Sequence, residues 1–317
     1  MQIYAYYKGY SEDRNLEERA AKAFENWCQK KKTDGYLESY KPREARTSPS
    51  ITFVKDALCG NVALTPAMRS VIDTPEFQRL RHIKMTSAFY VYPGAVHTQF
   101  SHAIGCAFLA KQFADTLLDN DEAQKLLFPP VVSEKDRALC TKRLKEAIQI
   151  AALVHELGRG PYTEVFETFL KHHNKLLNRD PANVDYRFRS VMMLDQMYER
   201  CKVPFHETFG DDMGEWKSLI EAIINPPKPD KLDELTFPTG IDERWQFLFE
   251  IVTPMTTGLD CCSWDTFQRN SRFLGIHTGI DVRRFMNNCR LNRYKGSIHV
   301  TLNEKVGALV SRTIFAV

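Results

Sequence analysis

The chain has 317 residues, of which 43% are hydrophobic and 26% are charged, and its formal net charge is +3. These proportions are typical of a folded globular protein with one large domain or two small ones. The small net charge gives no global basic field of the kind that attracts nucleic acid. No apolar run reaches the length of about 18 residues that predicts a membrane span. The eight cysteines have irregular spacings, and the first residues do not resemble a secretory signal. Together these features predict reduced thiols in an intracellular protein, cytoplasmic or nuclear.

Helical patterns dominate the chain. Residues Ser11–Lys32 predict one helix, and the Gly- and Pro-containing segment after it predicts a linker. We therefore expect an N-terminal helical extension and linker at residues 1–50 and one larger domain at residues 51–317. Further helices are predicted at Pro66–Ile72, Pro75–Lys84, Ser101–Leu118, Ser133–Leu157, Thr163–His173, Asn183–Arg200, Met213–Ile224, Asp242–Met255 and Cys261–Leu274.

The C-terminal part changes character. Residues Ile280–Phe285 and Ser297–Leu302 alternate between apolar and polar side chains, which predicts two strands. Lys295 and Gly296 form a turn signal between them. The predicted fold class is therefore mostly α, with a small C-terminal β element.

Potential metal ligands recur at the ends of predicted helices. His102 opens one helix, His155 and Glu156 close another, and Cys262 lies at the start of a third. Imidazole, carboxylate and thiolate groups are common metal ligands in proteins. The pattern suggests one metal site assembled from separate helices.

Four segments around these residues form a recognisable series. They are Asp73–Lys84, Tyr92–His102, His155–Pro161 and Gly258–Asp265. In this order they resemble the motifs of the HD-domain deoxynucleoside triphosphate triphosphohydrolases, in particular the eukaryotic type that carries a sterile-alpha-motif domain. The resemblance runs from about Ile51 to the C-terminus, and it implies an HD-domain (HD/PDEase-like) helical fold.

The resemblance implies that His102, His155, Glu156 and Cys262 are the metal ligands. In that family two histidines and two aspartates hold one ion, so Glu156 and Cys262 replace both aspartates. Glutamate is longer by one methylene, about 1.5 Å, and sulfur shifts the preference from magnesium or manganese towards zinc. Two states of the site stay open, one without a cofactor and one with a closed tetrahedral zinc ion.

Other positions that the resemblance aligns with the family's pocket are also changed. They are Met85, Thr86, Gln99, Arg159, Glu164, Glu167, Tyr186, Ser263 and Thr266. Most of these changes remove a proton donor or a cation, and general acid catalysis typically contributes roughly 10²–10⁴-fold. We therefore predict no catalytic residue and a pseudoenzyme that serves as a protein-interaction scaffold or binding module.

Two alternatives remain. One is a zinc-dependent nucleotide phosphohydrolase with a rebuilt site. The other is a nucleic-acid-binding module, in which the basic residues Arg283 and Arg284 near the terminal strands would contact phosphates. A solvent-exposed basic face is the simpler interpretation of these two arginines.

The resemblance also implies partners. Asp73, Gln78 and Arg81 match residues that bind a guanine nucleotide at a regulatory site between subunits of the eukaryotic relatives, and they are predicted as nucleotide-binding residues. A protein partner and a homodimer are expected, nucleic acid is retained as an alternative, and no membrane is expected.

Overall fold

Helices form most of the part of the chain that the computed structural model describes. The described residues are 52–176, 185–226, 243–254, 260–276, 281–294 and 296–303. Their helices are α1 (Pro66–Ile72), α2 (Pro75–Gln78), α3 (Gln99–Leu118), α4 (Asp121–Leu127), α5 (Glu134–Val154), α6 (Glu164–Leu176), α7 (Tyr186–Phe209), α8 (Met213–Ile224), α9 (Phe249–Val252), α10 (Cys261–Leu274) and α11 (Val282–Asn287). Four short 3-10 helices lie at Arg79–His82, Ser87–Tyr90, Gly210–Asp212 and Glu243–Leu248.

Two antiparallel hairpins accompany the helices. The first joins β1 (Thr52–Asp56) to β2 (Gly60–Leu64), and the second joins β3 (Cys289–Tyr294) to β4 (Ser297–Leu302). The Asp56 carboxylate accepts the backbone N–H groups of Leu58 and Cys59 at 3.0 Å each, which stabilises the first turn. The fold class predicted from the sequence is confirmed: the protein is mostly α with a small C-terminal β element.

The centre of the fold is α3. Most of its residues are buried, and it packs against both α5 and α10. Because α3 is covered on nearly all sides, its sequence is apolar around the whole helix rather than along one stripe. Its first turn therefore places His102 in the interior, close to the end of α5 and the start of α10.

Local capping signals position two of the three helices of the site. Ser133 caps α5 by accepting the backbone N–H of Asp136 at 3.2 Å. Asp260 caps α10 by accepting the backbone N–H of Ser263 at 2.5 Å. The cap at Asp260 fixes where α10 begins, and so it places Cys262 in the first turn.

Several predicted elements match the structure and others do not. Three helices, Pro66–Ile72, Met213–Ile224 and Cys261–Leu274, and the strand Ser297–Leu302 have the predicted bounds. The predicted strand Ile280–Phe285 is wrong, because Val282–Asn287 is a helix. There the side chain of Asp281 caps the helix, and Val282 and Met286 are buried one turn apart.

Other predictions fall outside the described residues or are untested. The predicted helix Ser11–Lys32 and its linker lie outside the described residues, so the division at residue 50 stays a prediction. Among the described helices, none is both long and apolar enough to cross a membrane.

Candidate metal centre

The predicted ligands come from three helix ends. His102 lies in the first turn of α3, His155 directly follows α5, and Cys262 lies in the first turn of α10. His102, His155 and Cys262 are 1%, 3% and 6% exposed, and Glu156 is mostly buried beside them. The structure thus brings the four residues into one interior region.

The imidazole of His102 is held on both sides. Its Nδ1 lies 2.7 Å from Oδ2 of Asp265, and its Nε2 lies 3.3 Å from Oε2 of Glu156. Arg269 donates to both oxygens of Asp265 at 2.7 and 2.8 Å and also to Asp56 at 3.0 Å. A carboxylate on one ring nitrogen fixes the ring so that the other nitrogen faces a ligand, as around metal-binding histidines generally.

The opposite charges of His102 and Glu156 stabilise each other. Burial alone would lower the pKa of His102, but hydrogen bonds to Asp265 and Glu156 raise it to about 10. Burial alone would raise the pKa of Glu156, but the hydrogen bond from His102 and the charge of Arg159 lower it to about 2. Both side chains are therefore charged at neutral pH, and a metal ion at His102 must displace a proton.

His155 forms a second pair with Cys262. Its Nδ1 lies 3.4 Å from the Cys262 sulfur. Hydrogen bonds from the thiols of Cys106 and Cys261 lower the pKa of Cys262 well below its usual range, so this sulfur has thiolate character. The Nε2 atom of His155 is buried and has no hydrogen-bonding partner among the described residues. An orphaned imidazole nitrogen of this kind suits a metal ligand.

Arg159 occupies the other side of Glu156. Its Nη2 donates to Glu156 Oε1 and its Nη1 donates to Glu167 Oε1, at 2.9 Å each. The guanidinium carbon lies 3.6 Å from the centre of the Tyr186 ring. Arg159 thus binds one oxygen of Glu156 while the other oxygen faces His102.

Sequence reasoning missed two residues of the site. Asp265 orients His102, and the sulfur of Cys106 lies 3.4 and 3.5 Å from the two ring nitrogens of His102. These nearly equal distances place the sulfur over the ring face rather than on a nitrogen lone pair. A helical signal was available, because Cys106 follows His102 by one turn of α3 and Asp265 follows Cys262 by one turn of α10.

The donor atoms of His102, Cys106 and Asp265 lie within 4.8 Å of one another, and they are the one such set of three or more found among the described residues. Both oxygens of Asp265 already contact His102 or Arg269, so we assign Asp265 to orienting His102 rather than to binding an ion. The four predicted ligands form two pairs, His102 with Glu156 and His155 with Cys262.

A metal ion fits the chemistry of these donors. Two imidazoles, a carboxylate and a thiolate favour zinc, and His155 offers a free nitrogen. The expectation of no cofactor is therefore not supported, whereas the zinc alternative agrees with the donor set. The assignment of the four individual ligands stays a prediction.

The predicted nucleotide-binding residues lie elsewhere and have internal partners. Asp73 pairs with Arg69 at 3.4 Å, and Gln78 donates to the carbonyl of Ile72 at 2.7 Å. Arg81 donates to Gln78 at 2.7 Å and stacks 3.5 Å over the ring of Phe100. Nucleotide binding at Asp73, Gln78 and Arg81 stays a prediction.

The fold and the site together define the class. A helical domain that brings two histidines and a carboxylate from helix ends to one buried place is an HD-type domain. No protein-family model matches the chain. The deoxynucleoside triphosphate triphosphohydrolase SAMHD1 of Homo sapiens is 31% identical over 256 residues, which cover 80% of this chain and 38% of that protein. SAMHD1 of Danio rerio is 34% identical over 271 residues, which cover 83% of this chain and 40% of that protein.

A more distant relative is a putative HD domain-containing protein, L394, of Acanthamoeba polyphaga mimivirus, which is 28% identical over 229 residues. Those residues cover 72% of this chain and 44% of the viral protein. The chain spans about two fifths of the length of the curated relatives it matches. The chain belongs to the HD-domain family of dNTP triphosphohydrolase-like proteins.

These relatives correct one prediction. The expectation that the chain is not an enzyme is contradicted, because the SAMHD1 relatives from four vertebrates are named as triphosphohydrolases. Replacement of the two metal aspartates by Glu156 and Cys262 is therefore not a sufficient argument for inactivity. A carboxylate and a thiolate can both still bind a metal ion.

Proposed function

We propose that the protein is a metal-dependent phosphohydrolase that acts on nucleoside triphosphates. The observation that carries the proposal is the fixed orientation of His102, whose Nδ1 contacts Asp265 and whose Nε2 faces Glu156. Such an orientation prepares an imidazole for a metal ion. The names of the SAMHD1 relatives support the nucleotide substrate class.

His102, His155, Glu156 and Cys262 would hold the ion, with zinc preferred. When bound, such an ion neutralises phosphate charge and activates a water molecule. The chain's own groups prepare the site. Asp265 fixes the ring of His102, and Arg159 binds Oε1 of Glu156, so that Oε2 of the longer side chain stays beside His102.

A direct test measures phosphate and triphosphate release from each dNTP by the full chain, with zinc, manganese or magnesium. We expect metal-dependent release that is lost in His155→Ala. The exposed His206 of α7 pairs with Asp211 at 3.2 Å and offers a matched control. His206→Ala should keep the activity. Equal release by wild type and His155→Ala, or no metal-dependent release by the wild type, would refute the proposal.

The other expected partners have less support. The exposed residues Arg283 and Arg284 lie on α11, and no described contact of theirs favours nucleic acid over solvent. A protein partner and a homodimer stay predictions. Sedimentation of the purified chain tests the homodimer, because a single monomeric species at micromolar concentration would exclude it.

A further inference from the structure

A buried ion-pair network connects the β1–β2 hairpin to the metal centre. Asp56, the last residue of β1, has its Oδ2 3.0 Å from Nη1 of Arg269 and its Oδ1 3.3 Å from Nη2. On its other side, Arg269 donates from Nε and Nη2 to the two oxygens of Asp265 at 2.7 and 2.8 Å. Oδ2 of Asp265 in turn lies 2.7 Å from Nδ1 of His102. We call Asp56, Arg269 and Asp265 the buried triad.

All three members of the buried triad lie in the interior. The side chains of Arg269 and Asp265 are fully buried, and the side chain of Asp56 is 5% exposed. Burial alone would raise the pKa of Asp56, but hydrogen bonds from Arg269 and from the backbone N–H of Cys59 lower it. Asp56 is therefore charged at neutral pH, and the guanidinium of Arg269 is held by a carboxyl group on each side.

The stability of the fold does not by itself explain the buried triad. Replacing buried ion pairs with apolar side chains of similar volume is often neutral or stabilising. The triad also requires Gly105 in the interior of α3, because a Cβ there would lie 2.5 Å from Nη2 of Arg269 and 2.7 Å from Cγ of Asp265. Glycine is, after proline, the residue least favourable to a helix interior. A role in orienting His102, which lies one turn before Gly105, accounts for both features.

We propose that Asp56 is a positioning residue of the metal centre and that it orients His102 through the other two members of the buried triad. The inference rests on the proposed function, because it assumes that the orientation of His102 serves a metal ion. Without Asp56, the guanidinium of Arg269 is held from one side only and can turn, and Asp265 turns with it. The ring of His102 then loses its fixed direction, and the affinity for a metal ion falls.

The test begins with Asp56→Asn in the full chain. Asparagine can still accept the backbone N–H groups that close the β1–β2 turn, so the hairpin is kept, but it carries no charge to hold Arg269. We expect zinc to bind about 10–100-fold more weakly, as measured by competition with a zinc indicator. Asp281→Asn is the matched control, because the exposed Asp281 also accepts a backbone N–H, from Arg284 at 3.0 Å, and lies outside the triad. It should bind zinc as the wild type does.

A second substitution tests the route of the effect. Arg269→Lys keeps the positive charge but loses the planar fork that reaches both carboxylates, so it should also weaken zinc binding on its own. Asp56→Asn should weaken zinc binding much less in this background than in the wild type, as a double-mutant cycle measures. Equal losses in both backgrounds would mean that Asp56 acts by another route and would overturn the inference.

Two further readouts separate positioning from a general loss of structure. Cobalt(II) in place of zinc absorbs visible light in bands that depend on the geometry of its ligands, and these bands should differ between Asp56→Asn and the wild type. In the metal-free chain, NMR should show slow exchange with water for the proton on Nδ1 of His102, because Asp265 holds it. Asp56→Asn should exchange this proton faster at a temperature well below its unfolding midpoint, whereas Asp281→Asn should not.

The outcome is separable from that of the proposed function. Unchanged zinc affinity and unchanged proton exchange in Asp56→Asn would overturn the inference, even if the wild type releases triphosphate. Weaker zinc binding and faster exchange in a chain without turnover would refute the hydrolase and leave the positioning role standing. In an active chain, Asp56→Asn should lower kcat and leave KM unchanged, because Asp56 is buried behind the metal ligands. A raised KM with an unchanged kcat would contradict the positioning role.

Discussion

The most instructive substitution is Gly105→Ala in α3. Gly105 lies one turn after His102, and an added Cβ would be 2.5 Å from Nη2 of Arg269 and 2.7 Å from Cγ of Asp265. It would lie even closer to Oδ1 of Asp265. Neither neighbour can yield easily, because both are completely buried and bound to each other.

The expected cost follows from opposing effects. Alanine favours the helix over glycine by about 1 kcal/mol. Overpacking a core typically costs about 1–3 kcal/mol, and breaking a buried ion pair costs about 3–5 kcal/mol. We therefore expect Gly105→Ala to lower the free energy of unfolding by at least about 2 kcal/mol and to weaken metal binding, since Asp265 can no longer hold His102.

Urea denaturation followed by circular dichroism measures this loss. Gly214→Ala is the matched control, because Gly214 lies in α8 and nothing approaches its added Cβ within 4 Å. That variant should be as stable as the wild type or more stable, by up to about 1 kcal/mol. If Gly105→Ala were as stable as Gly214→Ala and bound metal equally well, the account of the Asp265–Arg269 pair would be wrong.

Two further predictions concern buried charges. Arg159→Met should lower the free energy of unfolding by about 1.5–3 kcal/mol, because it removes charge-assisted hydrogen bonds to two mostly buried carboxylates. These carboxylates keep His102 and Arg189 as cationic partners, which limits the loss. Arg200→Met at an exposed pair should cost no more than about 1 kcal/mol, and equal losses in urea denaturation would contradict this. Burial raises the pKa of Glu146, which accepts a hydrogen bond from Thr65. The folded state therefore binds the proton more tightly, and wild-type stability should fall as pH rises from the ordinary value of 4.5 through the raised value. Glu146→Gln should lack this fall, and parallel pH–stability curves for the two proteins would refute it.

Helical elements with strong local signals could be predicted from the sequence. Pro66–Ile72 has a threonine cap and a proline in its first turn, and the structure has the predicted bounds. The strand predicted at Ile280–Phe285 was wrong because short alternation does not distinguish a strand from a helix with two buried residues one turn apart. The hairpin β1–β2 was missed, since each strand has only five residues.

The candidate site was predicted in part. The helix ends that carry His102, His155 and Cys262 follow from the motifs and their order. The structure pairs Arg159 with Glu156 and Glu167. That pairing depends on where α6 packs relative to the end of α5. A contact of this kind depends on tertiary packing, so the spacing of residues along the sequence does not predict it.

The central claim is that the metal site, with Glu156 and Cys262 in place of two aspartates, still binds an ion and that the protein hydrolyses nucleoside triphosphates. The most direct measurement determines the zinc content of the purified chain and, on the same sample, the triphosphate released from dNTPs. We predict about one zinc ion per chain, as for a single four-ligand site, and release that stops when a chelator removes the ion. Protein that carries its zinc and releases no triphosphate from any dNTP would contradict the account.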